Sequence, residues 1–111
     1  MAGKKTAEFM IVNRRSGKAL QATGLDNGLV VEQAEPAKTD AQTWSMVETQ
    51  GGVKLFNKAC GKVLDVMANG TVNGTWVQTW EDVDGESQLW KLVTVSPTYK
   101  KLVNVIADKA L

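Results

Sequence analysis

Histidine is absent from this 111-residue sequence, and cysteine occurs once, at Cys60. Without histidine there are no imidazole general bases and no Ser-His-Asp triad, and the commonest nitrogen ligand for zinc is missing. A single cysteine excludes an internal disulfide framework. These absences argue against an enzyme, and they predict a protein that needs neither a metal nor a cofactor.

Charge of one sign is also lacking, since 13 basic residues face 12 acidic ones. Such a balance gives no field to attract nucleic acid, so we expect no nucleic-acid partner. No apolar run approaches the length of about 18 residues that spans a bilayer, so we expect no membrane insertion. The first residues contain no apolar signal core, which predicts a cytoplasmic protein; secretion stays open if the chain is a processed or recombinant fragment.

Internal repetition is the most informative feature that is present. The tripeptide Gln-x-Trp occurs at residues 42–44 and again 46 residues later, at 88–90. Upstream, residues 11–20 align with residues 55–64 at an offset of 44. A third copy opens at Leu102 and runs to the last residue, Leu111. This period is typical of a repeated β unit.

The repeats divide a single domain, residues 1–111, into repeat one (about 9–50), repeat two (about 51–97) and a partial repeat three (about 98–111). Each complete repeat reads as four short strands. Asn27-Gly28 between apolar runs predicts a hairpin turn in repeat one. The predicted strands are residues 9–13, 18–22, 29–35 and 42–47 in repeat one, 53–57, 62–67, 75–81 and 88–93 in repeat two, and 99–105 in repeat three.

The motifs Asn-x-x-Ser-Gly-Lys-x-Leu, Asn-Gly, Val-x-x and Gln-x-Trp, in this order, resemble the ricin-B-type (R-type) lectin repeat. That resemblance implies an all-β fold, the β-trefoil, in which three four-stranded repeats form a short barrel capped by three hairpins. Here the trefoil is expected to be incomplete in its third repeat. The resemblance also implies structural roles for Gln42, Trp44, Gln88 and Trp90, with each Trp filling the core and each Gln bonding nearby backbone.

The third strand of repeat two carries an unusual aromatic pattern. Strand alternation places Trp76, Gln78 and Trp80 on one face. Val77 is expected to point inward like its counterpart Val31, so both indoles should project outward. Packing does not require two exposed indoles on one strand, which indicates a binding surface.

A carbohydrate site follows from the lectin resemblance. Ricin-type sites combine an aspartate after the second strand with Gln-x-aromatic on the third, which correspond here to Asp65, Gln78 and Trp80. An aromatic ring stacks on a pyranose face, a carboxylate accepts two hydroxyl protons, and an amide both donates and accepts. The family also uses an asparagine just before Gln-x-Trp, where this chain has Ser87. Trp76 completes the predicted set.

One other interpretation competes with this site in repeat two. Asp65 and Gln78 could simply bond the hairpin together while Trp80 packs locally. Repeat one has Gln21, Glu32, Ala34 and Ala41 at the matching positions, and we expect it to bind no sugar.

The loop containing Asp82, Asp84 and Glu86 resembles the start of a calcium-binding loop. The twelfth position counted from Asp82 is Val93 rather than the bidentate glutamate, so we interpret the segment as a polar loop.

The resulting functional prediction is a non-catalytic lectin module for galactose- or N-acetylgalactosamine-type glycans. The alternatives are a protein-interaction or inhibitor trefoil, or a self-assembling lectin fragment; a glycan array discriminates between them. Because the third repeat lacks its last barrel strand, an open apolar edge is expected. Either further residues exist, or a homo-oligomer completes the third lobe.

Overall fold

The computed structural model describes residues 8–67, 77–97 and 100–105. The described residues form nine β-strands and two short 3-10 helices, with no α-helix among them, so the all-β prediction is confirmed. The strands are β1 Ala19–Gln21, β2 Leu29–Val30, β3 Glu32–Ala34, β4 Trp44–Thr49, β5 Gly52–Asn57, β6 Val63–Val66, β7 Val77–Trp80, β8 Trp90–Thr94 and β9 Lys100–Asn104. The 3-10 helices span Asp40–Gln42 and Glu86–Gln88.

Seven strands form one antiparallel sheet in the order β2-β7-β6-β5-β8-β9, with β4 also paired to β5. The remaining strands, β1 and β3, pair with each other in register Leu20↔Gln33. Strand β2 of repeat one pairs with β7 of repeat two, with Leu29 opposite Thr79. The two complete repeats therefore share a sheet, and β2 of repeat one lies beside β7 of repeat two.

The predicted third strand of repeat one, residues 29–35, is divided at Val31. Residues before Val31 pair with β7, and residues after it pair with β1. Val31 itself is buried, and its N–H donates to the Val77 carbonyl at 3.0 Å. The third strand thus changes partner where its central side chain enters the core.

The predicted fourth strands begin later than expected. Gln42 and Gln88 each end a 3-10 helix, and the strands start two residues on, at Trp44 and Trp90. Both Gln side chains turn inward and are fully buried. Each Gln-x-Trp therefore spans the junction between a helical turn and a barrel strand.

The core is apolar and centres on the two repeated tryptophans. Trp44 and Trp90 are 0% and 1% exposed, and together they supply the largest buried side chains. Each indole N–H donates to a second-strand carbonyl, Leu20 at 3.1 Å and Leu64 at 3.0 Å. A buried indole that finds an acceptor avoids the cost of an unpaired donor. The other members of the buried cluster are Val31, Leu55, Leu64 and Val66.

The Asn27-Gly28 turn of repeat one differs from the mirror-image turn that this dipeptide usually forms. Only Gly28 has a positive φ, 83°, and Asn27 does not. A type I′ turn requires positive φ at both central residues. Gly28 instead pairs with β7, because its N–H donates to the Thr79 carbonyl at 2.9 Å.

The first predicted strand, residues 9–13, is represented by two isolated bridges, Phe9↔Trp44 and Val12↔Ala19. A continuous ladder is missing because the described part of the chain places no partner strand along its other side. No helix among the described residues is long and apolar enough to cross a membrane.

Ion pairs with a buried lysine of β5 hold the acidic loop after β7 in place. Lys54 Nζ donates to Asp82 at 2.9 Å and also to Asp84. No group of three or more metal-ligating side chains occurs in the described ranges. Asp82 and Asp84 therefore serve an internal ion pair, in line with the polar-loop interpretation.

Burial desolvates the Lys54 ammonium, which by itself lowers its pKa. The hydrogen bonds and charges of Asp84 and Asp82 outweigh this effect, so the pKa of Lys54 is raised above 10.5. A raised lysine pKa means that the ion pair contributes its full stability below pH 10.5. That contribution disappears as pH rises through the folded-state pKa.

Replacing Lys54 by Met removes the ion pairs with Asp82 and Asp84. Methionine is the residue that repeat one carries at the matching position, Met10. Buried ion pairs cost several kcal/mol to break and exposed pairs almost nothing. Because Asp82 is partly buried and Asp84 is exposed, we expect Lys54→Met to lower the unfolding free energy by about 1–2 kcal/mol. Urea unfolding near neutral pH measures this difference.

The same measurement well above pH 10.5 should give a smaller difference between wild type and Lys54→Met. Lys58→Met, at an exposed lysine paired with Glu8, is the matched control and should change stability little. A wild-type stability as low as that of Lys54→Met at neutral pH would contradict the role of the ion pair.

Candidate functional site

Asp65 and Gln78 lie directly opposite each other in the β6–β7 ladder. Side chains at directly opposed positions lie close enough to touch. Trp80 follows Gln78 by two residues, so it projects on the same side of the strand. The ladder thus brings together the carboxylate, the amide and the aromatic ring that the sequence predicted.

The opposite face of β7 belongs to the core, as the alternation predicted. Thr79 is fully buried, and Val77 packs against the core cluster. Trp80 is half-buried rather than freely exposed. Trp76 lies outside the described residues.

The Asp65 carboxylate is buried, with 6% exposure, and only one of its oxygens has a partner. Oδ2 accepts from Gln88 Nε2 at 3.3 Å, whereas Oδ1 is buried and has no hydrogen-bond partner. A buried polar atom without a partner costs about 1–3 kcal/mol. The protein therefore leaves one oxygen of this carboxylate without a donor.

Gln88, which donates to the Asp65 carboxylate, is itself held by further hydrogen bonds. Its Nε2 also donates to the Glu81 carbonyl at 2.8 Å, and its Oε1 accepts from the Val83 N–H at 3.0 Å. These bonds leave Gln88 little freedom to rotate, so Asp65 Oδ2 receives a donor of fixed position. The structural Gln of Gln-x-Trp is therefore also the support of the candidate site.

Ser87 lies next to Gln88 in the second 3-10 helix and is 7% exposed. Its backbone carbonyl accepts from Asn104 Nδ2 at 2.9 Å. This bond ties the segment that carries Ser87 to β9. The structure places Ser87 beside the support of Asp65, and its predicted contact with sugar stays a prediction.

The Asn27-Gly28 turn of repeat one lies beside the candidate site, a contact that the sequence did not predict. A Cβ on Gly28 would lie 3.4 Å from the Trp80 ring and 3.8 Å from Gln78 Oε1. Asn27 Oδ1 accepts from the Glu81 N–H at 2.9 Å, next to Trp80. Asn27-Gly28 predicted only a turn, because nothing in a single sequence indicates that the turn packs on the next repeat.

The matching position of repeat one is closed by its own hydrogen bonds. Gln21 takes the place of Asp65; its Oε1 accepts from Gln42 Nε2 at 3.0 Å, and its Nε2 donates to Glu32 Oε1 at 2.9 Å. Ala34 stands where Trp80 stands in repeat two. Repeat one therefore offers neither an unpartnered acceptor nor a stacking ring.

A hydroxylated ring fits the chemistry of the repeat-two site. The site presents a buried carboxylate, an amide that both donates and accepts, and an indole on the same side of β7. These groups can form hydrogen bonds with hydroxyls and an apolar contact with a ring.

Comparison with known proteins identifies the family. The model of the ricin-type β-trefoil lectin domain-like family matches residues 2–80 and, in a second overlapping match, residues 50–111. The chain belongs to this family. Its resemblance to ricin-B-type lectins, predicted from the repeats, is confirmed.

Related proteins include an exo-beta-1,6-galactobiohydrolase of Bifidobacterium longum subsp. longum, which is 36% identical over 101 residues. The match covers 86% of this chain and 7% of that enzyme, so the chain spans only a small part of its curated relative. The shared part corresponds to a lectin-like domain.

Solved structures confirm the β-trefoil fold. The designed threefold-symmetric protein ThreeFoil superposes with a TM-score of 0.91 at 34% identity, covering 96% of this chain and 78% of ThreeFoil. The exo-beta-1,3-galactanase 1,3Gal43A of Clostridium thermocellum gives a TM-score of 0.90 at 26% identity, covering 96% of this chain and 24% of the galactanase.

Proposed function

We propose that this domain is a non-catalytic carbohydrate-binding module that binds galactose-type glycans through repeat two. The observation that carries the proposal is the buried Asp65 Oδ1, which lacks a partner. It lies on the face that Gln78 and Trp80 share. A sugar hydroxyl is the neutral donor that would satisfy this oxygen without bringing a second charge into the site.

Each side chain then has a distinct task. Asp65 accepts hydrogen bonds from two adjacent hydroxyls, and an axial–equatorial pair suits a single carboxylate. Gln78 donates to one ring substituent and accepts from another. Trp80 provides the surface on which the C–H face of the pyranose stacks, and Gly28 lies against the ring of Trp80.

The names of two relatives support the choice of sugar. One is an exo-beta-1,6-galactobiohydrolase and the other an exo-beta-1,3-galactanase. Both names concern galactose-containing substrates. Because this chain matches only 7% and 24% of those proteins, we transfer the sugar class and not their catalytic activity.

Weak single-site affinity is expected, because a single monosaccharide makes only a few contacts with these side chains. A dissociation constant near 1 mM corresponds to about −4 kcal/mol. Useful retention on a glycan surface would then require several sites acting together, which raises the effective affinity without a new contact.

Replacing Asp65 by Ala should abolish measurable galactose binding, because the hydroxyls lose their anionic acceptor. Titration followed by NMR or calorimetry measures the affinity of wild type and variant. Glucose, which differs from galactose in one hydroxyl configuration, is the control ligand and should bind more weakly to wild type. Equal galactose binding by Asp65→Ala would show that the site is assigned wrongly.

Only repeat two is expected to bind sugar. Trp80→Ala should therefore abolish binding, while Glu32→Ala in repeat one leaves it intact, and wild type should saturate at one galactose per chain. Calorimetric stoichiometry measures this directly. Two equivalent sites per chain would mean that the closed hydrogen bonds around Gln21 do not prevent binding.

A further inference from the structure

The loop that precedes Gln-x-Trp makes the same hydrogen bonds in both complete repeats. In repeat one the Ala37 N–H donates to Gln42 Oε1 at 2.8 Å. In repeat two the Val83 N–H donates to Gln88 Oε1 at 3.0 Å. In each repeat the glutamine Nε2 also donates to the carbonyl two residues before that N–H, at 2.9 Å in repeat one and 2.8 Å in repeat two. The loop and the buried amide therefore hold each other in place.

The backbone of the two loops is also strained at the same position. Lys38 has a φ of 53°, and its counterpart Asp84 has a φ of 57°. Residues other than glycine rarely adopt a positive φ, and they keep it only where the surrounding structure holds them there. Each loop therefore needs a group that fixes it.

The two repeats fix this loop with different residues. Repeat one has a proline, Pro36, whose ring locks its own φ. Repeat two has Asp82 at the matching position, and Lys54 Nζ donates to Asp82 at 2.9 Å and also to Asp84. The counterpart of Lys54 in repeat one is Met10, which cannot form such ion pairs. An ion pair in repeat two thus takes the place of a rigid ring in repeat one.

The glutamine that each loop holds has a different partner in the two repeats. Gln42 Nε2 donates to Gln21 Oε1 at 3.0 Å, and Gln21 is held a second time by its bond to Glu32. Gln88 Nε2 donates to Asp65 Oδ2 at 3.3 Å, and the other oxygen of Asp65 has no partner. Within the described part of the chain, Gln88 is the one side chain that bonds this carboxylate. The orientation of Asp65 therefore depends on the orientation of Gln88.

A continuous series of contacts joins Lys54 to this carboxylate. Lys54 bonds Asp82. The next residue, Val83, bonds Gln88 through its N–H, and Gln88 bonds Asp65. Lys54, Gln88 and Asp65 are 5%, 0% and 6% exposed. Because close-packed side chains have few alternative positions, a shift of the loop is passed on to the carboxylate.

The start of the loop has an anchor of its own. The Glu81 N–H donates to Asn27 Oδ1 at 2.9 Å, so the carbonyl of Glu81 that accepts from Gln88 Nε2 is held without Lys54. The bond from the Val83 N–H to Gln88 Oε1 lies beyond this anchor, beside the ion pair. Loss of Lys54 should therefore loosen one end of the Gln88 amide while the other end stays bound.

We propose that Lys54 is a positioning residue for the sugar site. Through its ion pairs with Asp82 and Asp84 it holds the Gln88 amide, and with it the Asp65 carboxylate, in the orientation that accepts a sugar hydroxyl. Lys54 acts through the loop and not by contact with the sugar. The sugar part of this inference rests on the proposed function.

The first arm of the test needs no sugar. NMR follows hydrogen exchange of the side-chain NH2 groups of Gln88 and Gln42 in wild type and Lys54→Met. We expect the NH2 of Gln88 to exchange at least about fivefold faster in the variant, and that of Gln42 to change by less than about twofold. A general loss of stability would accelerate both groups equally. Equal acceleration of both groups, or of neither, would overturn the proposal.

The second arm measures galactose affinity by NMR titration. Lys54→Met should bind galactose at least about threefold more weakly than wild type, because groups in one network of hydrogen bonds and ion pairs are coupled. Lys58→Met, at the exposed lysine paired with Glu8, is the matched control and should keep the wild-type affinity. Unchanged galactose affinity in Lys54→Met would overturn the proposal.

The two arms separate this inference from the proposed function. A wild-type protein that does not bind galactose would contradict the proposed function. The exchange of the Gln88 NH2 group would still decide whether Lys54 positions this amide.

The residues of repeat one supply a rescue experiment. The triple variant Lys54→Met, Asp82→Pro and Asp84→Lys gives repeat two the residues that accompany the same loop in repeat one. A proline whose φ fits the native backbone rigidifies it without an ion pair, so Gln88 exchange and galactose affinity should return to within about twofold of wild type. A triple variant that stays as weak as Lys54→Met would show that the loop does not link Lys54 to the site, and would overturn the proposal.

Discussion

The buried amide of Gln-x-Trp is the interaction on which the rest of the structure depends. Gln42 and Gln88 make the same bonds in their own repeats: Oε1 accepts a loop N–H, and Nε2 donates to a loop carbonyl and to a polar side chain of the second strand. A fully buried amide must have all its partners, because each unpaired group costs about 1–3 kcal/mol. The loop, the second strand and the tryptophan strand are therefore held in one arrangement.

This arrangement lets the two repeats differ in their polar side chains without differing in fold. The Gln Nε2 needs an acceptor, which Gln21 supplies in repeat one and Asp65 in repeat two. Gln21 uses its second polar atom on Glu32, whereas the second oxygen of Asp65 has no partner. One exchange of side chain thus turns a closed hydrogen-bond network into an open acceptor, at some cost to stability, as binding sites commonly require.

Much of the fold could be predicted from the sequence because the repeats supply their own comparison. The period of Gln-x-Trp predicted a repeated β unit, and the resemblance to ricin-B-type lectins implied the trefoil. Strand alternation predicted that Gln78 and Trp80 share a face. Contacts between residues far apart in the chain were not predictable in the same way: Gly28 of repeat one lies against Trp80 of repeat two, and Lys54 pairs with Asp82 within repeat two. The predicted strand at residues 9–13 forms only isolated bridges because a ladder depends on a partner strand, which local pattern does not reveal.

Urea unfolding of wild type and Asp65→Asn, each with and without galactose, tests the central claim most directly. The asparagine keeps an acceptor for Gln88 and replaces the unpaired carboxylate oxygen by a neutral NH2 group. One unpaired buried polar group thus replaces another, so without sugar its unfolding free energy should stay within about 1 kcal/mol of that of wild type. At about 100 mM galactose, a 1 mM site should stabilise wild type by about 2.7 kcal/mol and leave Asp65→Asn unchanged. Equal stabilisation of both proteins, or a large loss of stability in Asp65→Asn without sugar, would show that Asp65 serves the fold and not a ligand.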